Sequence, residues 1–273
     1  MAASGMAPAW VAEARARARS GPAAARLPLL LGGDVIGSVD ADVFDKIDFK
    51  RLLDNRHQLS LVQHDGAPAW ALPAAGATAA LNALAQALRA AGRCGPWRNE
   101  QLAVCGADGR SLATVERGAV RVLGLATRAV HLVGGTADGA AMWVQQRSCT
   151  KANNPGMWDT LMGGMVSAAD SLEQAVERET WEEAGLRPAQ LAGLRPGGLV
   201  QFALPSGEGG GAGYMVETIH WYQATLPENT RPCNQDGEVA RFECLAHDVV
   251  QARLAEGAFT PEAALVLAAF YGW

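Results

Sequence analysis

The sequence predicts an α+β protein built from two structural units. With 273 residues, of which 49% are hydrophobic and 19% charged, the chain has the size and composition of a folded protein of more than one domain. Apolar residues recur at helical spacing in some segments and follow a strand pattern in others. The pattern becomes richer in strands from about Arg128. We therefore predict an N-terminal helical arm at 1–25, a small α+β unit at 26–124 and a larger unit at 125–273.

Segment 26–124 contains both hairpin and helix signals. LPLLLGGDVIGSV indicates a hairpin that turns at Gly32-Gly33, and QLAVCGADGRSLATVER indicates another that turns at Asp108-Gly109. DVFDKIDFKRLLDN is predicted to be a helix, and TAALNALAQALRAAG to be a longer amphipathic helix. Three roles stay open for this unit: capping a site, pairing two copies of the chain as a homodimer, or stabilising the second unit.

Segment 125–273 is predicted to be mainly a sheet. AVHLVGGTADGAAMWVQQR has two apolar runs around an Asp-Gly turn, which is typical of a hairpin. GGLVQFAL, GYMVETIHWYQATL and ARFECL are further strand candidates, with a glycine-dense loop, PSGEGGGAGY, between the first two. TPEAALVLAAFYGW is predicted to be a closing helix.

Composition also excludes several classes of protein. A net charge of −5 and a pI near 5.6, with no dominant basic block, argue against a nucleic-acid partner. The five cysteines include no C-x-x-C pair, which favours a reducing compartment over a metal or disulfide role. We see neither a membrane-spanning run nor a secretory signal, so we expect no membrane partner and a cytoplasmic location.

Two local signals bound a helix in the second unit. Ser171 and Gln174 have the spacing of a capping box, so a helix should begin at Leu172. Gly185 is the residue type that tolerates the left-handed conformation after a last turn, and Pro188 prevents continuation. We predict a helix of about 13 residues between these signals.

Acidic side chains crowd one stripe of this helix. Glu179, Glu182 and Glu183 fall within about 100° on a helical wheel, and like charges at these spacings repel. Arg178 can pair with Glu182 at i+4, which leaves two carboxylates to be compensated. A hard divalent cation, Mg²⁺ or alternatively Mn²⁺, takes oxygen ligands and substrate phosphates together. Gly163 and Gly164 would let a backbone carbonyl or a phosphate approach closely.

The segment resembles the signature of the Nudix hydrolases, G-x5-E-x7-R-E-U-x-E-E-x-G-U, in which U is aliphatic. Gly164 opens the signature, and Arg178, the glutamates, Gly185 and Leu186 match in place. Asp170 replaces the usual glutamate, and Thr180 replaces an aliphatic residue. The shorter aspartate predicts slackened geometry and retained activity.

This resemblance implies an α/β/α sandwich around a mixed sheet and hydrolysis of a diphosphate linked to another moiety. It also implies roles for individual residues. Glu179, Glu182, Glu183 and the Gly163 carbonyl would be metal ligands, and Arg178 would orient the carboxylates.

A wider resemblance concerns the order R-S-x-x-K, P-G-x-x-D and G-G before the signature. It is similar to the Nudix domain fused to fungal thiamine pyrophosphokinase and to the stand-alone relatives of that domain, which carry a comparable small N-terminal domain. The resemblance implies conversion of thiamine diphosphate, or of its oxidised or damaged analogues, to the monophosphate. Arg147, Lys151 and Asp159 are then candidates for binding the substrate, together with Gly164.

The identity of the general base stays open between Glu183 and Glu238, with Glu217 as a competitor of Glu238. Tryptophans are candidates for stacking on a flat cationic ring; they are Trp143, Trp158, Trp181 and Trp221. The alternative functions are hydrolysis of another diphosphate, such as ADP-ribose or a dinucleotide, and non-catalytic sensing of a phosphorylated metabolite.

Overall fold

A computed structural model describes residues 6–44 and 59–273. The predicted helix DVFDKIDFKRLLDN falls mostly outside these residues. Within them, the helices are α1 (Ala9–Arg17), α2 (Ala77–Ala90), α3 (Leu172–Ala184), α4 (His247–Ala255) and α5 (Pro261–Phe270). The strands are β1 (Arg26–Leu31), β2 (Asp34–Asp40), β3 (Ser60–His64), β4 (Ala67–Leu72), β5 (Gln101–Cys105), β6 (Ser111–Glu116), β7 (Ala126–Thr136), β8 (Ala141–Arg147), β9 (Trp158–Asp159), β10 (Met162–Met165), β11 (Ala192–Ser206), β12 (Gly213–Leu226) and β13 (Val239–Ala246).

The first unit is a small sheet covered by α2, with the hairpin β5–β6 beside it. The sheet has the order β2-β1-β4-β3, in which β4 runs parallel to β1. Leu81, Leu84 and Leu88 of α2 recur at helical spacing and are fully buried. Both predicted hairpins are confirmed. The hairpin β3–β4 was not predicted, because its strands are short and partly exposed and so lack a clear alternation.

The second unit is built on a seven-stranded sheet. Its main order is β11-β12-β7-β8-β13, while β10 pairs with β7 and β9 pairs with β8. Strand β12 runs parallel to β7, and the other described pairings in this sheet are antiparallel. The predicted mixed sheet is therefore confirmed.

Alternate side chains of β7 enter two different hydrophobic cores. Val130 and Leu132 pack with residues of α3 on one face of the sheet. Ala129 and Val133 pack with residues of α4 and α5 on the other face. Because side chains of a strand alternate between faces, one central strand joins both helical layers. The sandwich of helix, sheet and helix agrees with the predicted architecture.

The N-terminal helix α1 belongs to the outer layer of the second unit. Trp10 meets Trp273 edge to face, with the ring centroids 6.0 Å apart, and the guanidinium of Arg15 donates to the carbonyl of Trp273. Ala18, just after α1, is buried in the core that contains α5. The predicted helix is present, and its partners come from the far end of the chain.

The two units also meet next to the acidic helix. Met165, at the end of β10, packs into the core of the first unit. The Ala168 amide donates to the Gln101 carbonyl at 2.8 Å, which ties the loop before α3 to strand β5. Among the described residues, the helices are all too short or too polar to cross a bilayer.

Candidate active site

Helix α3 has the bounds that the sequence predicts. The Ser171 hydroxyl accepts a hydrogen bond from the Gln174 amide at 3.2 Å, and the Gln174 side chain accepts one from the Ser171 amide at 2.8 Å. This capping box satisfies amides that the first turn leaves free. Gly185 follows the last turn with φ of +64°. The helix of 13 residues is confirmed.

Arg178, in the middle of this helix, contacts three carboxylates. Its guanidinium donates to Glu179 at 2.7 Å, to Glu182 at 3.1 Å and to Asp170 at 2.9 Å. The contact with Asp170 is of normal hydrogen-bond length, so the shorter side chain does not slacken this link as we expected. Arg178 also donates to the Met165 carbonyl at 3.2 Å, which anchors the preceding loop.

The paired glycines make room for side chains of the protein itself. A β-carbon at Gly164 would lie 2.0 Å from Cδ of Glu179, and one at Gly163 would lie 2.6 Å from Cε1 of His131. The described groups nearest these glycines are thus a carboxylate and an imidazole. Our sequence interpretation, that the glycines admit a backbone carbonyl or a phosphate, missed this packing role, because it depends on contacts with other elements.

Glu183 is a buried carboxylate with defined partners. Its side chain is 2% exposed, and Oε2 accepts hydrogen bonds from the Gln145 side chain at 2.7 Å and from the Gly163 amide at 2.9 Å. Burial raises the pKa of Glu183, and the charge of Lys151 partly offsets that rise. The Lys151 ammonium lies 3.8 Å from Oε1 of Glu183.

Lys151 joins Glu183 to Glu238. Its ammonium pairs with the Glu238 carboxylate, whose side chain is 42% exposed. Burial lowers the pKa of Lys151, and the charge of Glu183 opposes that change. The Lys151 ammonium therefore lies next to a buried carboxylate, Glu183, and an accessible one, Glu238.

Asp159 braces its neighbours from a buried position. It is 2% exposed, and it accepts from Arg147 at 3.2 Å and from the Thr160 amide at 2.9 Å. His131 contacts Thr160, with Nδ1 2.9 Å from the hydroxyl oxygen. Burial lowers the pKa of His131, and nearby Asp159 opposes that shift. Asp159 therefore fixes the Arg147 guanidinium, which is the better candidate for contacting an anion.

All predicted site residues line one cleft with two connected parts, which we call the inner and outer lobes. The inner lobe is lined by most of them: Arg147, Lys151, Asp159, Gly163, Gly164, Glu179, Glu183 and Glu238. The outer lobe is lined by Arg178 and Glu182, and it shares Arg147, Lys151, Glu179 and Glu238 with the inner lobe. Chain folding thus brings together β8, β10, α3 and the loops before β9 and β13.

Six further charged residues of this cleft were not identified from the sequence. Arg121 and Glu262 line the inner lobe, Arg98, Glu100 and Asp236 line the outer lobe, and Arg117 lines both. None of them belongs to a recognisable motif, so only their spatial position identifies them. Four of the six, namely Arg98, Glu100, Arg117 and Arg121, belong to the first unit.

Glu262 and Glu217 differ in how their charge is compensated. Glu217 accepts from Thr127 at 3.0 Å and lies 3.6 Å from Arg121, so it pairs across the sheet as one of our interpretations held. Glu262 forms no ion pair within the described part of the chain. Burial raises the pKa of Glu262 to about 7, and the charge of Glu217 adds to the rise.

The four candidate tryptophans lie away from both lobes. Trp158 and Trp221 are buried in the core below α4 and α5. Trp143 and Trp181 lie under guanidinium groups of Arg231 and Arg187. The structure therefore does not support the hypothesis that they stack on a substrate ring in this cleft.

The carboxylates provide hard oxygen donors of the kind that Mg²⁺ prefers. Burial raises the pKa of Glu179 to about 7, against the favourable charge of Arg178, and a bound cation would reverse that rise. Gln145 Oε1, next to Glu183, is buried without a hydrogen-bond partner among the described residues. The same residues contain no group of three acidic, histidine or cysteine side chains arranged around one point. Arg178 contacts Glu179 and Glu182, and Lys151 lies 3.8 Å from Glu183. The carboxylate oxygens fit a divalent cation, which on binding would replace their contacts with Arg178 and Lys151.

The second unit matches a known protein family over most of its length. A family model described as "NUDIX domain" matches residues 125–268. An uncharacterized protein of Saccharomyces cerevisiae is 28% identical over 186 residues, which cover 64% of this chain and 54% of that protein. An uncharacterized Nudix hydrolase of Pseudomonas aeruginosa is 37% identical over 82 residues, 30% of this chain and 48% of its own. The chain therefore spans about half the length of these two curated relatives.

Solved structures also match part of the chain. The crystal structure of a Deinococcus radiodurans protein has a TM-score of 0.48 and 21% identity, covering 62% of this chain and 97% of that one. A MutT protein from Methanosarcina mazei has a TM-score of 0.38 and 17% identity, covering 54% of this chain and 93% of that one.

Proposed function

Since the chain belongs to the Nudix family, we propose that it is a Mg²⁺-dependent hydrolase of thiamine diphosphate or of oxidised or damaged analogues, with the monophosphate as product. We also propose, from the sequence, that the protein is cytoplasmic. Absence of nucleic-acid and membrane partners also stays a prediction.

The acidic inner lobe is the observation that supports a thiamine-like substrate. Asp159, Glu217 and Glu262 all line this lobe, and Glu262 has no cation paired with it among the described residues. Thiamine diphosphate carries a positively charged ring beside an anionic diphosphate. A cationic ring would compensate the Glu262 carboxylate, whereas the neutral base and ribose of ADP-ribose would leave it uncompensated.

The outer lobe suits the opposite end of such a molecule. Arg147, Lys151 and Arg178 present cationic groups, and guanidinium and ammonium groups bind phosphate oxygens. Mg²⁺, or Mn²⁺ in its place, would be held by Glu179, Glu182 and Glu183 with the Gly163 carbonyl, and would neutralise phosphate charge and lower the pKa of an attacking water. The groups proposed to bind phosphate thus lie in the outer lobe and in the part that it shares with the inner lobe.

The protein itself must also accept a proton from the attacking water. Oε2 of Glu183 already accepts two hydrogen bonds, which leaves Oε1 for other contacts. Glu238 is more accessible and shares Lys151 with Glu183. We therefore assign proton acceptance to Glu238 and ligand binding to Glu183. Lys151 then keeps the Glu238 carboxylate oriented toward the shared part of the cleft.

A substrate panel tests the proposal. We would measure kcat/KM with Mg²⁺ for thiamine diphosphate, its oxo and oxy analogues, ADP-ribose, a dinucleotide and a nucleoside diphosphate. The thiamine compounds should have the highest kcat/KM. A clear preference for ADP-ribose or a dinucleotide would support the alternative hydrolase, and binding without phosphate release would support a sensor.

Variants connect this activity to the cleft. Replacing Glu183 or Glu238 by glutamine should lower kcat about a hundredfold or more, as expected for loss of a group that acts in proton transfer or charge placement. Glu177→Gln is a matched control, because Glu177 is exposed on the same helix and, in the described part of the chain, its one ion pair is with Arg187, at 3.8 Å. Wild-type kcat in the Glu183 variant would contradict the assignment.

A further inference from the structure

Two arginines of the first unit line the same outer lobe as the acidic helix of the second unit. Arg98 lies between α2 and β5, and Arg117 directly follows β6. Both line the lobe together with Arg178, Glu179 and Glu182. A cleft built on the second unit alone would lack this wall.

A buried carboxylate fixes the backbone at both arginines. Glu116 is 1% exposed, and its carboxylate accepts from the Arg98 amide at 2.7 Å and from the Gly118 amide at 3.4 Å. The Arg117 amide donates to the Glu100 carbonyl at 2.8 Å. The two segments that carry the arginines are thereby joined to each other, so the positions of both side chains are coupled.

Packing between the units sets the distance from these arginines to helix α3. Met165 enters the core of the first unit, and Ala168 bonds to Gln101, next to Glu100. These contacts lie on the loop that leads into α3. The wall carrying Arg98 and Arg117 is consequently held against the loop that positions Glu179.

The charge of Arg98 is less compensated than those of the other arginines in the cleft. Within the described residues, the exposed Arg98 side chain forms no ion pair and donates no hydrogen bond. Arg117 has one ion pair, with Glu100 at 2.8 Å, and its side chain is 36% exposed. By contrast, Arg121 lies between Glu208 and Glu217, and Arg178 contacts three carboxylates.

We propose that Arg98 and Arg117 form an anion subsite that binds phosphate oxygens of the substrate diphosphate. The first unit then has a direct part in substrate binding, which goes beyond capping or stabilisation. Planar guanidinium groups match phosphate oxygens geometrically and remain charged at any physiological pH. This inference rests on the proposed function for its substrate class, but the subsite itself can be tested with inorganic pyrophosphate.

The first experiment measures binding of inorganic pyrophosphate to the full chain, without metal, by calorimetry. Arg98→Ala and Arg117→Ala should each raise the Kd about tenfold, the effect expected for losing one charge-assisted contact. Arg98→Lys should lie between wild type and the alanine variant. Arg110→Ala is the matched control, since Arg110 is 68% exposed at the tip of hairpin β5–β6 and lines neither lobe.

Melting temperatures of all variants establish that they fold. Arg98 is exposed and forms no ion pair with any residue that the structure describes, so Arg98→Ala alone can decide the question if Arg117→Ala proves unstable. A Kd for Arg98→Ala within twofold of wild type, or no pyrophosphate binding by the wild type, would overturn the subsite.

A second experiment separates the subsite from the proposed function. With any diphosphate that the wild type hydrolyses, Arg98→Ala should raise KM about tenfold and change kcat much less. If pyrophosphate binding depends on Arg98 but no thiamine compound is hydrolysed, the subsite stands and the proposed substrate is wrong. If thiamine diphosphate is hydrolysed with unchanged KM in the variant, the proposed function stands and the subsite is wrong.

Discussion

Gly164 and Glu179 occupy one space between strand β10 and helix α3. A β-carbon at Gly164 would lie 2.0 Å from Cδ and 2.2 Å from Oε2 of Glu179, far inside van der Waals contact. Arg178 holds the other oxygen, Oε1, at 2.7 Å. The carboxylate is therefore fixed between an arginine and a bare stretch of backbone, which explains why the segment needs a glycine at this position.

Gly164→Ala should displace the Glu179 carboxylate and lower kcat about a hundredfold, the cost expected for a misplacement of about 1 Å in an active site. Melting temperature should fall only a few degrees, because the clash involves the end of one side chain. Gly135→Ala is the control, since its β-carbon would meet its nearest atoms at 3.9 Å. Wild-type kinetics in Gly164→Ala would show that the position of Glu179 is unimportant.

Asp170→Asn should lower kcat about tenfold, as is usual for residues that orient metal-binding groups. Asp170 accepts a hydrogen bond from Nε of Arg178 at 2.9 Å. The neutral amide of asparagine would remove the negative charge that pairs with this guanidinium. Asp170→Glu, which restores the residue usual in the family signature, should stay within about twofold of wild type because the existing contact is already of full strength. A large gain in activity with glutamate would show that the native contact is slack.

Gln145→Leu should move the acidic limb of the pH–rate profile to higher pH. Gln145 donates to Glu183 at 2.7 Å, and this hydrogen bond lowers the pKa of Glu183 against the larger effect of burial. Its removal raises that pKa, so less Glu183 is ionised at low pH. Activity should fall more at pH 5.5 than at pH 8. Gln146→Leu serves as the control, because Gln146 bonds to the Gly156 carbonyl. An unshifted acidic limb would contradict this role.

Local signals predicted the acidic helix well. Ser171, Gln174 and Gly185 determine its ends through contacts within a few residues, so their spacing alone is sufficient. The mixed sheet and the two helical layers also follow from the resemblance to a known family. Elements whose identity depends on weak or partly exposed patterns, such as β3–β4 and α4, were not found.

The charged residues of the cleft that belong to no motif could not have been predicted in this way. Arg98, Arg117 and Glu262 are separated from Glu179 by more than sixty positions along the chain, and no motif includes them. They reach the site through packing of Met165 into the first unit and through the start of α5. Likewise, a tryptophan is identified as a core residue only when its neighbours are known. Such features depend on tertiary contacts, which one sequence does not contain.

Glu262→Gln should raise stability in alkaline but not in acidic solution. In the folded chain, burial first and then Glu217 and Asp159 raise the pKa of Glu262 to about 7 from 4.5, while Arg121 opposes the rise. Ionisation therefore costs the folded state increasing free energy from pH 4.5 upward, and the full cost is present above about pH 7. Glutamine cannot ionise, so the Glu262→Gln variant does not carry this cost.

The melting temperature of the variant should match wild type at pH 4.5 and exceed it at pH 8, measured by calorimetry at half-unit intervals. Glu256→Gln, on the exposed end of α4, is the control and should give parallel curves. If Glu262→Gln is equally or less stable at pH 8, the carboxylate has a compensating partner, and the case for a cationic ring in the inner lobe is lost.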